Sequence, residues 1–134
     1  MKLELPSAGR VLNLGTDLVD IARITKARER HGARFLDRIF TPAEQDYCLG
    51  MRNPDPHLAA RFAAKEAISK GFTTGIGREF GWKTAEVLRD ARGAPYVQLD
   101  AQGSALLRQA GGSRILISLT HTQEYANAVI LILE

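Results

Sequence analysis

The sequence predicts a single α+β domain, in which helices are combined with antiparallel strands. Two observations carry this prediction. Helical segments precede two β-rich runs, at 114–122 and 125–133, which a short loop joins into a closing antiparallel hairpin. The 134 residues are 45% hydrophobic and 25% charged, which suits one sizeable core, and they contain no internal repeat or long linker.

Capping and turn residues divide the chain into its predicted elements. Asp20 is placed at the N-terminus of the first helix, and Thr41, Pro42 and Glu44 form a capping-box pattern at the start of another. The two prolines of "RNPDPH" at 52–57 predict a break before the next helix. The predicted elements are a strand at 11–18, helices at 20–30, 41–50 and 58–71, a glycine-shaped loop at 73–81, a hairpin of 83–90 and 96–100 with its turn at 91–95, a helix at 101–111 and the two closing strands.

Composition limits the possible partners and location of the protein but does not identify its function. The formal net charge of +3 and the pI of about 9.3 favour anionic partners such as phosphates, nucleic acid or an acidic protein. Cys48 is the one cysteine, so no intrachain disulfide is expected. The N-terminal stretch lacks the apolar run of a signal peptide, and no segment approaches the ~18 apolar residues of a spanning helix. We therefore expect a cytoplasmic protein without membrane association.

The segment "RFAAKEAISKGF" at 61–72 places charges among its large apolar residues. At ~100° per residue, Arg61 and Lys65 fall on the arc of Phe62, while Glu66 and Lys70 flank it one turn apart. Such a mixed face is either a surface with a Glu66–Lys70 pair or the wall of a site for a metal and a phosphate. The opposite arc is small and predicts close packing; it holds Ala63, Ala64 and Ala67.

A magnesium site would need a second carboxylate beside Glu66. Asp17 is the best candidate, because Gly15 just before it ends the predicted strand and permits close approach of another chain segment. Asp17 has an alternative role as the cap of the following helix. His121 is either a structural residue or a phosphate contact, and the loop at 73–81 is either a plain turn or a source of N–H groups for an anion. Trp82 and Cys48 are interpreted as packing residues.

Five motifs occur in one order: "GTDLVDIARI", "RFAAKEAISKGF", "TTGIGR", "GAPYV" and "SLTHTQEYANAVILI". Together they resemble the holo-[acyl-carrier-protein] synthase family, the short trimeric 4′-phosphopantetheinyl transferases. The resemblance runs from about residue 11 to the C-terminus, and 1–10 form an N-terminal extension of the single domain 1–134. The family fold implies an antiparallel sheet with a long central helix, assembled as a trimer with sites at the subunit boundaries.

The resemblance also implies a reaction and its residues. The family moves 4′-phosphopantetheine from coenzyme A to a serine of apo-acyl carrier protein, with Mg²⁺, and releases 3′,5′-ADP. Asp17 and Glu66 match the metal ligands, and Lys70 completes the catalytic set. The expected carrier-binding residues are Arg23 and Lys26. The expected coenzyme A contacts are Lys65, Ser69, Lys70, Gly75, Gly77, Pro95, His121 and Thr122.

Some roles stay open at the level of sequence. Glu66 is a candidate to deprotonate the serine, directly or through water, and Arg61 is undecided between phosphate contact and structural pairing. The carrier is expected to be that of fatty acid biosynthesis, with a polyketide or other secondary-metabolism carrier as the alternative. A small basic nucleic-acid-binding domain is the competing interpretation, but the basic helix at 20–30 lacks the interleaved aromatic residues it would need.

Overall fold

A three-stranded antiparallel sheet and one 18-residue helix form the centre of the molecule. The computed structural model describes Leu5 and residues 9–134, so most of the predicted N-terminal extension lies outside the described residues. The elements in chain order are β1 (Val11–Asp20), α1 (Ile21–His31), α2 (Ala33–Ile39), α3 (Pro42–Leu49), α4 (Pro54–Gly71), β2 (Ala85–Arg89), β3 (Pro95–Leu99), α5 (Ala101–Gln109), β4 (Arg114–His121) and β5 (Tyr125–Leu133).

The sheet has the order β1-β5-β4, so the closing hairpin pairs with the first strand of the chain. Asp17 lies opposite Ala128 of β5, which in turn lies opposite Leu119 of β4. One face of β5 is buried against the helices, through its alternating alanines and isoleucines. Its other face is partly exposed in the single chain, where Val129 is 37% accessible. The α+β fold with antiparallel pairing is as predicted.

The second sheet is the predicted hairpin. Strand β2 pairs with β3 from Ala85–Leu99 to Arg89–Pro95, and its turn contains Gly93 at a φ of 82°. Helix α5 follows at once, and the Asp100 side chain caps it by accepting a hydrogen bond from Gly103 N. None of the helices among the described residues is both long and apolar enough to span a membrane.

Two boundaries and one additional helix differ from the predictions. Strand β1 continues past Gly15 to Asp20, so Asp17 lies inside a strand and does not cap α1. Helix α4 begins at Pro54 rather than after the prolines, because the first turn of a helix has N–H groups without intrahelical partners and tolerates proline. Helix α2 was not predicted; it follows α1 after Gly32, whose φ is 55°.

Backbone contact between β1 and α4 depends on Gly15. A Cβ atom at this position would lie 1.9 Å from the Ala67 carbonyl oxygen and 2.8 Å from its carbon. The buried alanine face of α4 also permits close packing, as predicted from the wheel. Asn13 strengthens the contact further along β1, where its side-chain amide donates to the Gly71 carbonyl at 2.8 Å. Glycine is therefore required at residue 15 for steric reasons.

Gly15→Ala is expected to lower the free energy of unfolding by about 3 kcal/mol or more, because the overlap involves backbone atoms that no rotamer change can move. Urea denaturation measures this change. Gly77→Ala is the matched control, since a Cβ there would meet nothing within 4 Å. Equal stability of the two variants would contradict the assignment of Gly15.

Candidate active site

Helix α4 is buried at every position from Leu58 to its end except two. Those two are Glu66, which is half-buried, and Lys70, which is exposed. They lie one turn apart and form a single polar ridge on an otherwise enclosed helix. The ridge therefore marks the part of α4 that can meet a ligand.

Strand β1 brings Asp17 to this ridge. The Lys70 ammonium lies 2.9 Å from Asp17 Oδ1 and donates a second hydrogen bond to the Thr16 carbonyl at 3.0 Å. Lys70 therefore forms its ion pair with Asp17. The helix wheel had suggested a pair with Glu66 instead. The three residues predicted to be catalytic, Asp17, Glu66 and Lys70, come together from two elements that are far apart in sequence.

Glu66 has an unusual electrostatic environment. Burial raises the pKa of its carboxyl above the ordinary value, and the neighbouring Asp17 charge raises it further. Lys70 and Arg23 lower the pKa of Glu66, but they offset only part of this effect. Glu66 is therefore a better proton acceptor than an ordinary exposed carboxylate, and a cation beside both carboxylates would relieve their repulsion.

The donor set fits magnesium. Mg²⁺ commonly takes one or two protein carboxylates and completes its octahedron with substrate phosphates and water. Asp17 and Glu66 supply two such carboxylates. Among the described residues there is no cluster of three or more His, Cys, Asp or Glu side chains of the kind that forms a complete protein cage. The arrangement suits a metal ion that takes some of its ligands from the protein and the others from a substrate and water.

Lys65 is placed differently from the expectation that it contacts coenzyme A. Its side chain is fully buried, and its ammonium makes an ion pair with Glu44 at 2.8 Å. It also donates to the carbonyls of Trp82 and Ala85, each at 2.8 Å. All three ammonium donors are therefore used inside the protein. Burial lowers the pKa of Lys65, and the Glu44 charge partly offsets this effect.

Glu44 completes this buried network. Its carboxylate accepts hydrogen bonds from the backbone N–H groups of Thr41 and Val87, at 3.0 and 2.9 Å. The predicted capping box of α3 is confirmed, and its glutamate also reaches Lys65. The network ties α3, α4 and β2 together, so Lys65 has a structural role that the sequence did not reveal.

Arg61 and Ser69 are also buried. Arg61 stacks on the Tyr47 ring, with its guanidinium carbon 4.4 Å from the ring centroid, and donates to the His57 carbonyl at 3.2 Å. Arg61 Nε has no hydrogen-bond partner among the described residues. The Ser69 hydroxyl donates to the Glu66 carbonyl at 2.7 Å. The mixed face of the helix wheel is thus largely buried in the protein. Ser69 was expected to contact coenzyme A, but its hydroxyl donates a hydrogen bond within its own helix.

His121 lies at the other end of α4 from the ridge. Its ring makes an edge contact with His57, with centroids 5.6 Å apart. His57 precedes Glu66 by nine residues, about 13 Å along a helix axis. Thr122 follows His121, and its hydroxyl oxygen accepts from the N–H groups of Glu124 and Tyr125. One chain therefore does not bring His121 and Thr122 to the ridge.

The remaining predicted contacts lie in one loop and at the start of a strand. Gly75 has a φ of 66°, which favours glycine, and the Gly77 N–H donates to the Phe80 carbonyl at 2.8 Å. Both lie in the loop that directly follows α4, as predicted. Pro95 begins β3, opposite Arg89 and next to the turn of the hairpin.

A basic groove lies on the α1 side of α4. It has a volume of about 510 Å³, an apolar floor where Phe62 stacks on Trp82, and a rim that includes Arg23. Arg34 and Arg38 of the missed helix α2 complete the rim. Lys26 is exposed on α1 but does not line the groove. The sequence signal for the two additional arginines was the segment "ARFLDRIF", whose helix was not recognised.

A family model described as the 4′-phosphopantetheinyl transferase superfamily matches residues 13–130. The chain belongs to this superfamily. It is 44% identical over 124 residues to the holo-[acyl-carrier-protein] synthase of Chlamydia felis, covering 92% of this chain and 98% of the relative. The Protochlamydia amoebophila synthase is 45% identical over 118 residues, with 87% and 93% of the two chains covered.

Solved structures support the same assignment. The holo-[acyl-carrier-protein] synthase of Neisseria meningitidis superposes with a TM-score of 0.85 at 31% identity, over 92% of this chain and 98% of that chain. The Helicobacter pylori synthase, solved in complex with coenzyme A, gives 0.79 at 29% identity over 89% and 98%. This protein is therefore an enzyme, a phosphopantetheinyl transferase, and the predicted family is confirmed. The competing nucleic-acid-binding interpretation has no support from these matches.

Lys65→Met is expected to lower the free energy of unfolding of this transferase by about 3–5 kcal/mol, because Glu44 would stay buried without its cation. Adding Glu44→Gln should recover part of that loss, since an amide keeps hydrogen-bond capacity without the charge. A double-mutant cycle from urea denaturation measures the coupling. Single variants as stable as the parent protein would contradict the role of the pair.

Proposed function

We propose that this transferase moves 4′-phosphopantetheine from coenzyme A to a serine of apo-acyl carrier protein, with Mg²⁺ held by Asp17 and Glu66. The observation that carries the proposal is the meeting of Asp17, Glu66 and Lys70 on the single exposed ridge of α4. The synthase names of the relatives support the carrier protein as acceptor. The coenzyme A complex of the Helicobacter pylori synthase supports the donor.

The reaction is a displacement at phosphorus. The serine oxygen attacks the β-phosphorus, which bears the pantetheine, and the bridging bond to the α-phosphate breaks and releases 3′,5′-ADP. Lys70 is the cation on the ridge that can move from Asp17 to a phosphate oxygen. Glu66 is the proposed acceptor of the serine proton, directly or through a water molecule. A bound Mg²⁺ would neutralise charge on the pyrophosphate oxygens.

The basic groove is the proposed docking surface for the carrier. Its three arginines match an acidic partner, and its floor of Phe62 and Trp82 offers an apolar contact at the centre. Arg23 connects the basic rim of the groove to its apolar floor, since its guanidinium carbon lies 5.6 Å from the Phe62 ring centroid. Lys26 would act at longer range, as an exposed charge on the same helix. Carriers of fatty acid biosynthesis are the proposed substrates.

The outer face of the sheet is the proposed trimer interface. Leu14 and Leu18 are 57% and 65% accessible, and Val129 lies beside them on β5. These apolar side chains would be covered by the sheets of two further copies. A trimer would also bring His121 of one chain to the ridge of its neighbour, which the separation along α4 prevents within one chain.

Incubation with coenzyme A, Mg²⁺ and apo-carrier protein is expected to add one phosphopantetheine to the carrier, observed by intact-mass spectrometry. Asp17→Ala and Glu66→Ala should each reduce the rate by at least ~100-fold, because each removes a charged group from the reacting centre. Both variants should keep the fold, as checked by circular dichroism. No mass gain on fatty-acid or polyketide carriers would refute the proposed reaction, and full activity of either variant would refute the metal site.

Charge reversal in the groove tests the docking surface. Arg34→Glu with Arg38→Glu should lower kcat/KM for the carrier by about tenfold or more at low salt, mainly through KM, and added salt should reduce the difference. The KM for coenzyme A should stay unchanged. Arg92→Glu with Arg108→Glu is the control, because it makes the same total charge change at two exposed residues that do not line the groove. Equal carrier kinetics in all variants would contradict docking here.

Light scattering tests the trimer. The parent protein is expected to give about three times the chain mass of 14.7 kDa at micromolar concentration. Leu18→Glu should give a monomer, since it places a charge on the apolar face proposed to be buried between subunits. A parent protein that scatters as a monomer would contradict the shared interface.

A further inference from the structure

Lys70 is the protein's own counterion for Asp17. Its ammonium lies 2.9 Å from Asp17 Oδ1 and 3.0 Å from the Thr16 carbonyl oxygen, so strand β1 supplies two acceptors for it. These are its only protein acceptors among the described residues, and an ammonium has three donors. One donor of Lys70 is therefore left for water or for a ligand.

The Lys70–Asp17 pair can open, unlike the other lysine ion pair of the described residues. The Lys70 side chain is 53% accessible and that of Asp17 is 17% accessible. Lys65 is fully buried against Glu44, and all of its donors are bonded inside the protein. An exposed ammonium regains its hydration when it leaves a carboxylate, whereas a buried one leaves an unpaired charge behind. Lys70 is therefore the lysine of the two that can exchange its anion.

Charge balance makes Lys70 and a metal ion competitors for Asp17. The Asp17 charge raises the pKa of Glu66 and the Lys70 charge lowers it, so the three groups act on one another. A divalent cation between Asp17 and Glu66 would balance both carboxylates by itself. Lys70 would then be an excess positive charge beside the metal, at a place where water screens charges only in part. Metal binding is therefore opposed as long as Lys70 stays on Asp17.

We propose that Lys70 couples the binding of the metal ion to the binding of coenzyme A, because it occupies Asp17 until a phosphate of coenzyme A offers it another anion. The inference rests on the proposed function, which supplies both the metal site and the donor. Lysine binds phosphate as a point charge, without a fixed geometry, so the exchange needs only a change of side-chain rotamer. By linkage, the metal ion and coenzyme A each raise the affinity of the protein for the other by the same factor.

The binding of a metal ion alone separates this coupling from a simpler one. A metal ion that shares phosphate ligands with coenzyme A would also bind more tightly in its presence. That effect vanishes when coenzyme A is left out, because no phosphate is present to share. Competition by Lys70 acts on the metal ion without coenzyme A. A substitution of Lys70 should therefore change metal affinity under that condition.

Mn²⁺ binding without coenzyme A tests the inference, with free Mn²⁺ measured by electron paramagnetic resonance. Lys70→Met should bind Mn²⁺ at least about tenfold more tightly than the parent protein, because Asp17 loses its competing cation. Lys70→Arg keeps the positive charge and should bind Mn²⁺ as weakly as the parent protein. Lys83→Met is the matched control, since it makes the same substitution at an exposed residue outside the ridge, and it should leave Mn²⁺ affinity unchanged. Circular dichroism checks that each variant is folded.

The same titration with saturating coenzyme A completes the test. Coenzyme A should tighten Mn²⁺ binding in the parent protein, and this factor should be about tenfold smaller in Lys70→Met. Equal Mn²⁺ affinities of the parent protein and Lys70→Met without coenzyme A would overturn this inference and leave the proposed function intact. Equal tightening by coenzyme A in the two proteins would do the same. Absence of Mn²⁺ binding to either protein, even with coenzyme A, would overturn the proposed metal site and this inference with it.

Discussion

Strand β1 and helix α4 touch through backbone atoms, because Gly15 places no side chain between them and a Cβ there would lie 1.9 Å from the Ala67 carbonyl oxygen. This contact fixes where the following residues of β1 meet the helix. Two residues later, Asp17 reaches Lys70 at 2.9 Å and perturbs Glu66 through its charge. The site therefore depends on a steric constraint on a residue that has no side chain of its own.

A buried ion pair connects α4 to its neighbouring elements. Lys65 and Glu44 satisfy each other and four backbone groups inside the protein, so the pair links α3, α4 and β2 without an open polar atom. Such a network adds little stability over apolar residues of the same shape, but it tolerates only one arrangement of its partners. Lys65 and Glu66 are adjacent in sequence, but Lys65 forms a buried structural ion pair and Glu66 is the proposed metal ligand.

Local signals in the sequence were sufficient for much of the fold. The capping box at Thr41, the hairpin turn at 91–95 and the two closing strands each depend on residues close together in the chain, and all are present. The burial of Lys65 could not be predicted in this way, because its partner Glu44 lies on another helix. The motif resemblance identified the family. Helix α2 and its groove arginines were missed because Gly32 separates α2 from α1 without a side-chain cap.

We propose that Asp17 and Glu66 bind one metal ion between β1 and α4. Anomalous diffraction from crystals of the transferase grown with Mn²⁺ and coenzyme A tests it most directly. We expect one peak about 2.1 Å from an oxygen of each carboxylate, close to the distance of Mg²⁺ from its oxygen ligands. We also expect that Lys70 leaves Asp17 for a phosphate oxygen. A peak bound to neither carboxylate, or no peak while Lys70 stays on Asp17, would contradict the account.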